Sequence, residues 1–430
     1  MVTDQKDKAM LMPAMRSTHL TRSVMLFTNF FLIIAALYHL KPASRSLFIS
    51  ALGSDALPYV WIATALGLAL IIGAYHRLVA QFSRMHVVLG SCAVFIACLL
   101  IFYLWLRDDG WVSAFAFYVF VDMLSVILVE QFWSLTNSIH TTEDGKRWYG
   151  MIGTGGLLGG MAGGILSNMF ITQLQLNTLD LLPIAAAILS LLMALTLWMG
   201  RLRLYTEHTG VRDNGSADPG SWRVLVRHRY LLLIATILLL AQIVEPLVEF
   251  QFMKVVEASI TDRDMRTAYL ASFFSVLSGV AIGINLLITP LVHRGFGALG
   301  GLFVQPLAVS LGSLFYMTHA TLTSGAALKI ADRGLSYSIN RASKELMYVP
   351  IDPLLIYQAK AWIDMFGYRM FKVLGSVMIL ALTQWLPWTI SAAQLGWLVL
   401  GVCLIWSLTL LKLGREYRQI LARSTRVIAL

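Results

Sequence analysis

The sequence predicts an all-α, polytopic membrane protein of about twelve transmembrane helices in two six-helix bundles. Three observations carry that expectation: an apolar composition, a series of hydrophobic runs long enough to cross a bilayer, and a long hydrophilic break near the middle. Of 430 residues, 58% are hydrophobic and 13% charged, against roughly 25% charged in a soluble domain. The mean hydropathy is +0.72. A hydrocarbon core takes about 20 apolar residues per helical span. Runs of that kind lie near 22–40, 57–77, 86–105, 112–136, 149–171, 180–200, 229–254, 267–292, 298–318, 321–341, 361–384 and 390–412. A helix closes its own backbone hydrogen bonds inside the bilayer, and the runs lack the two-residue alternation of barrel strands.

The first run is expected to be a span and not a cleaved signal. It is long, has no small-residue cleavage site, and ends in Lys41 and Arg45. Net charge is +10, but its placement says more than its size. Basic residues cluster at Lys6, Lys8, Arg16 and Arg22, at Arg77 and Arg84, at Lys146 and Arg147, over 201–229, and in the tail from Lys412 to Arg426. The alternate loops, such as Arg107-Asp108-Asp109, are balanced or poor in charge. The positive-inside rule then expects both termini in the cytoplasm and an even number of spans. Such charge reads as topology and contact with anionic lipid, so no nucleic-acid partner is expected.

Cys92, Cys98 and Cys403 lie inside apolar runs with neither disulfide nor metal-ligand spacing. The nine histidines form no His-x-x-x-His pair and no Glu-x-x-His pattern. Neither a metal nor a cofactor is therefore expected, and an enzyme centre is disfavoured.

Residues 1–200 are expected to form the first bundle, 201–228 a cytoplasmic linker, and 229–430 the second bundle. The linker carries Gly210, Asn214-Gly215 and Pro219-Gly220, which are turn signals. Six spans on each side is the plan of the major facilitator architecture, in which two halves rock about a site near the bilayer midplane. A monomer is expected. Two polar stretches, Asn137 to Gly150 and Ser343 to Lys360, are expected as loops joining spans 4 to 5 and 10 to 11, contributing to an inner gate. Directly after the first comes a ladder of Gly150, Gly153, Gly155, Gly156, Gly159, Gly160, Gly163 and Gly164. No strand precedes it and no Gly-Lys-Ser/Thr follows, so a phosphate loop is disfavoured. Small residues three and four apart instead make a smooth face that another helix can approach closely.

Ionisable groups at membrane depth are costly, and each is a candidate for function. Span 1 ends in His39, Lys41 and Arg45. Span 4 carries Asp122 and Glu130, eight residues apart and so near one face. Span 7 carries Glu245, Glu249 and Lys254, with Pro246 expected to kink it. Span 10 carries Arg333 and Arg341, and span 11 carries Asp364, Arg369 and Lys372. Lys41, Lys254 and Arg341 lie near span ends, where snorkelling is the plain alternative. Asp332 with Arg333, and Asp364 with a basic neighbour, can equally be structural ion pairs.

At these residues the chain resembles the ATP/ADP translocases of plastids and obligate intracellular bacteria. Phe132-Trp133, Asn137, Ile139, Thr141 and Lys146-Arg147-Trp148-Tyr149 look like that family's Phe-Trp…Asn-Gln-Ile-Thr-Thr…Lys-Lys-Phe-Tyr segment. Leu247-Val248-Glu249 is similar to its Leu-Val-Glu. Lys344-Glu345, Tyr348, Pro350 and Asp352, followed by Lys360 and Asp364, resemble its Lys-Glu…Tyr-Ile-Pro-Leu-Asp…Lys-Ala-Ala-Ile-Asp. The resemblance implies that Glu249 and Lys372 stand at the family's substrate-linked glutamate and lysine. Lys41 stands at its first basic position in span 1. Ser44 occupies the second basic position with Arg45 one place on, and Asp122 is one place from the family's span 4 glutamate.

The expected function is therefore secondary active transport of a nucleotide-like or other anionic organic solute across the lipid bilayer, by exchange or with protons. Lys41, Arg45, Glu249, Arg369 and Lys372 are the expected substrate contacts. Asp122, Glu130, Glu245 and Asp364 are the expected coupling or gating carboxylates. The alternative is a proton-coupled transporter of a non-nucleotide compound such as a metal chelate, peptide fragment or drug.

Overall fold

A computed structural model describes residues 3–139, 142–202, 204, 226–351, 353–363 and 367–428. Among them every regular element is helical. The helices are α1 (Thr3–Leu52), α2 (Leu57–Gln81), α3 (Arg84–Trp105), α4 (Trp111–Ile139), α5 (Thr142–Thr172) and α6 (Leu181–Arg201). After the linker come α7 (Arg229–Ser259), α8 (Arg263–Gly283), α9 (Thr289–Thr318), α10 (Leu322–Leu335), α11 (Arg341–Tyr348), α12 (Pro353–Trp362), α13 (Tyr368–Leu380) and α14 (Leu395–Ile428).

Eight stretches of the described chain are long and apolar enough to cross a membrane. One of them, Arg263–Thr318, is 56 residues long and covers two of the twelve runs. It is broken at Gly297, whose φ of 69° is left-handed and suits a residue without a Cβ. The three remaining runs are the glycine-rich α5 and the charge-bearing α10 and α13, whose composition dilutes their hydropathy. Three π-helical turns, Ile284–Ile288, Ser336–Asn340 and Ala381–Trp385, interrupt this second half.

Both polar stretches expected as loops are largely helical. Helix α4 continues to Ile139 and α5 begins at Thr142, while α11 spans Arg341–Tyr348. Polarity reports departure from the hydrocarbon, not loss of helix, and helices longer than about 20 residues carry their hydrogen bonding beyond it.

The chain divides into two compact units. The first comprises Met1–Ala51, Leu66–Arg212 and Asp262–Ser278, and the second Leu52–Ala65, Asp213–Thr261 and Gly279–Leu430. Most of the expected linker, 201–228, lies outside the described residues. Two short segments fall in the unit other than that of most of their sequence neighbours: 52–65 in the second and 262–278 in the first. Residues 262–278 are bonded into the first unit. There Arg266, buried, donates to the Ser50 hydroxyl at 3.0 Å, Arg263 pairs with Asp109 at 3.1 Å, and Thr178 donates through N and Oγ1 to Asp264. Residues 52–65 are bonded into the second, where Lys254 pairs with Asp55 at 2.9 Å and Ser54 donates to Glu257. Lys254 is thus an ion-pair partner as well as a span-end residue.

The first unit is organised around the glycine ladder. A Cβ on Gly155 would sit 2.5 Å from the Phe27 carbonyl oxygen, and one on Gly163 would sit 2.7 Å from that of Ala35. Gly159 meets Phe31 more closely still. These glycines recur every four residues against α1 carbonyls that recur every four. The other side of α5 receives α8: a Cβ on Gly164 would lie 2.5 Å from the Ala271 carbonyl oxygen, and Ser275 donates to that of Met161 at 2.8 Å. Small residues on both flanks let the backbones approach within the reach of these contacts.

Candidate substrate site

In the second unit two further glycines decide where charge collects. Gly325 of α10 faces α7 so closely that a Cβ would lie 2.7 Å from Val255 Cγ2. Lys329, one turn on, then points at the same helix. Gly375 of α13 sits over the Pro246 turn of α7, where a Cβ would be 2.7 Å from Pro246 Cγ and 2.9 Å from the Ile243 oxygen. Lys372, one turn earlier, is held beside Glu245. Helix α7 runs through Pro246 without interruption.

Six charged side chains meet as a result. Lys329 Nζ lies 2.6 Å from Glu249 Oε2 and 3.6 Å from Asp332 Oδ2. Arg333 contacts Glu245 Oε1 and lies 3.9 Å, through Nε, from Asp332 Oδ2. Lys372 Nζ is 3.2 Å from Glu245 Oε1. From α9, Gln305 Nε2 donates to the Asp332 carbonyl oxygen at 3.0 Å and to its Oδ1 at 3.4 Å. The Arg333 guanidinium also stands over the Tyr337 ring at 5.6 Å. Three acids thus face three bases, and the six charges sum to zero. Exposure is graded across them: the Lys372 side chain is 34% exposed and Arg333 21%, whereas Lys329 and Asp332 are 3% each. One edge of the network is thus partly exposed and the other is buried.

The first unit brings Arg45 and Asp122 together. Arg45 Nη2 donates to Asp122 Oδ1 at 2.7 Å, its Nη1 donates to the Ser44 hydroxyl at 3.0 Å, and its guanidinium lies 4.6 Å from the Tyr118 ring centre. Tyr118 and Asp122 are one α4 turn apart, so ring and carboxylate present one face to the arginine. Lys41 is half-buried nearby in sequence, while Glu130 at the far end of α4 is exposed. Arg369 is half-buried on α13, and Asp364 lies outside the described residues.

Of the residues singled out in the sequence, Glu245, Glu249 and Lys372 join the six-charge network, as does Arg333. Sequence reasoning missed Lys329. Its signal was available, since Lys329, Asp332 and Arg333 at i, i+3 and i+4 share one face of a span.

Eight helical stretches of the described chain, long and apolar enough to cross a membrane, give the class as a multi-pass membrane protein, and the charges paired on α7, α10 and α13 are of the kind that transport uses. Comparison with known proteins gives the particular group. Residues 109–417 match the family described as TLC ATP/ADP transporter, and the chain belongs to that family. It is 24% identical over 361 residues to ADP,ATP carrier protein 4 of Rickettsia conorii, covering 74% of this chain and 70% of that one. It is 25% identical over 339 residues to ADP,ATP carrier protein 1 of Chlamydia muridarum, covering 67% and 64% respectively. Among solved structures it resembles a mutant form of the nucleoside transporter NupG, with a TM-score of 0.64 at 13% identity over 91% of this chain and 99% of that one. The POT family transporter PepTSo gives a TM-score of 0.65 at 11% identity, covering 93% and 98%. These two likenesses concern the fold alone. The family is one of transporters and not of enzymes.

Proposed function

We propose that this protein moves a nucleotide-like or other anionic organic solute across a bacterial inner membrane by alternating access, with both termini in the cytoplasm. The ADP,ATP carrier names of its relatives support the nucleotide class. The observation that carries the reading is the graded network on α7, α10 and α13. A carboxylate and two cations at its open edge, Glu245 with Arg333 and Lys372, form a site that an incoming phosphate can enter by replacing the carboxylate. Charge-assisted hydrogen bonds from guanidinium and ammonium groups suit phosphate oxygens. The empty site stays neutral because Glu245 holds the two bases until the solute arrives. Removing a buried acid without such a replacement leaves unpaired charge, which costs about 3–5 kcal/mol.

In this scheme Lys372 and Arg369 on α13, with Lys41 and Arg45 on α1, contribute positive charge to solute binding. Glu249 contributes from its family position on α7. Glu245, Asp122, Glu130 and Asp364 act as coupling or gating carboxylates. Either a counter-solute or protons supply the drive.

The test is uptake of labelled ATP and ADP into proteoliposomes, with a panel of other organic anions. Saturable uptake that accelerates when the lumen holds unlabelled nucleotide supports exchange. Uptake driven by a pH gradient with an empty lumen supports proton coupling. Failure of every anion, nucleotides included, to bind or move overturns the reading.

A further inference from the structure

The open edge of the network accounts for Glu245, Arg333 and Lys372, but not for the depth at which Lys329 and Asp332 lie. Both belong to α10 and both are almost wholly enclosed. The two oxygens of Asp332 are treated differently. Oδ1 receives Gln305 at 3.4 Å, whereas Oδ2 is buried and accepts no hydrogen bond. An enclosed carboxylate oxygen with no donor is expensive, and such atoms in native proteins call for an explanation. Here two cations stand just beyond bonding distance of it: Lys329 Nζ at 3.6 Å and Arg333 Nε at 3.9 Å. Each is committed elsewhere, Lys329 to Glu249 and Arg333 to Glu245. Both of those acids are on α7, while Asp332 shares a helix with the two bases. A shift of about an ångström, within the range of a side-chain adjustment, would bring either cation into contact with it.

We propose that Asp332 is a positioning residue for transport, the standby counter-ion to which Lys329 and Arg333 turn as they leave the α7 glutamates. The inference rests on the anion-transport reading and concerns a residue outside its solute contacts. When an anion enters, Arg333 and Lys372 leave Glu245, and the bond between α10 and α7 weakens. Asp332 then supplies the counter-charge of Lys329 while the bound anion supplies that of Arg333, so that α10 carries no uncompensated cation as it parts from α7. Gln305, from α9, holds the carboxylate in place by its other oxygen. Coupling between loading and helix movement is thereby built from a change of ion-pair partner.

The consequence is a split between affinity and turnover. Asp332→Asn keeps the side-chain size and removes the standby charge. With ATP as probe, the variant is expected to bind as tightly as the parent or several-fold more tightly. Its maximal exchange rate is expected to fall by about tenfold or more, so that KM and Vmax decrease together. Asp332→Glu, which retains the charge, is expected to recover most of the rate. Unchanged KM and Vmax in Asp332→Asn overturn the proposal. So does a loss of ATP binding that tracks a loss of thermal stability, since that is the mark of a merely structural role. If Asp332→Asn does not fold, the double variant Lys329→Met/Asp332→Asn carries the test by removing one charge of each sign. ATP binding without turnover then supports the proposal, and parent-like turnover overturns it. Binding of ATP, ADP and inorganic phosphate to the purified parent separates the two levels. No binding by the parent sinks the anion reading, whereas parent binding without the Asp332 split sinks only this inference.

Discussion

Arg45 of the first unit and Arg333 of the second each meet a carboxylate and stand over a tyrosine ring. Arg45 takes Asp122 and Tyr118, with the Ser44 hydroxyl beside them. Arg333 takes Glu245 and Tyr337, but its acid is shared with Lys372, and a third carboxylate links it onward to Lys329 and Glu249. The first arrangement fastens α1 to α4. The second is a chain of partners in which Lys329 and Arg333 each have a second acid within about 4 Å, the usual limit for an ion pair. A chain of partners can be re-ordered by one added anion, and the contrast puts the second unit's network first in line for that change.

The largest expected effect tests how far the second unit depends on closure of its network. Lys329→Met removes the cation 2.6 Å from Glu249 and 3.6 Å from Asp332, and the expected cost is about 3–5 kcal/mol, read as loss of folded protein or a sharply lower melting temperature in detergent. Arg45→Met should cost clearly less, because Asp122 retains 16% side-chain exposure, whereas Lys329 also serves Asp332, whose side chain is 3% exposed. Equal losses would break the comparison.

The next effect is steric and belongs to the first unit. Gly159→Val places atoms where the Phe31 backbone already lies, and overpacking of this kind costs about 1–3 kcal/mol or more. Gly153→Ala, at a position with open space around it, should leave the melting temperature unchanged.

Function should then part from stability at the open edge. Lys372→Gln is expected to raise the KM for ATP about tenfold, equivalent to about 1.4 kcal/mol, with melting shifted by only a few degrees. A melting loss as large as that of Lys329→Met would mean that Lys372 is structural. The smallest change belongs to Lys254→Gln. Its partner Asp55 is 63% exposed, and exposed pairs contribute about 0–1 kcal/mol.

The helical, polytopic fold was legible because hydrophobic runs are a consequence of the bilayer itself. Pairing among charges was less so. Glu245 and Lys372 are 127 positions apart, and nothing local to either announces that Gly375 brings their helices together. Lys329 escaped notice because it sits in an apolar context, although its spacing to Asp332 and Arg333 placed three charges on one face. The polar stretch from Asn137 to Gly150 misled in a different way. Its composition marked the end of the hydrocarbon, but the helices on either side extend through most of it. Asp122 and Arg45 were each visible as buried charges, yet only the packing of α1 on α4 shows that they satisfy one another.

The exchange of segments 52–65 and 262–278 between the units bears on how the chain can be taken apart. A gene divided within 201–228 would encode two fragments, each lacking a piece of the unit it mainly builds and carrying a piece of the other. Synthesised alone, the first fragment would leave Asp109 and the Thr178 turn without Arg263 and Asp264. The second would leave Lys254 without Asp55. Made together in one membrane, the fragments hold every missing partner between them, so fragment complementation is the form in which this chain can survive being cut.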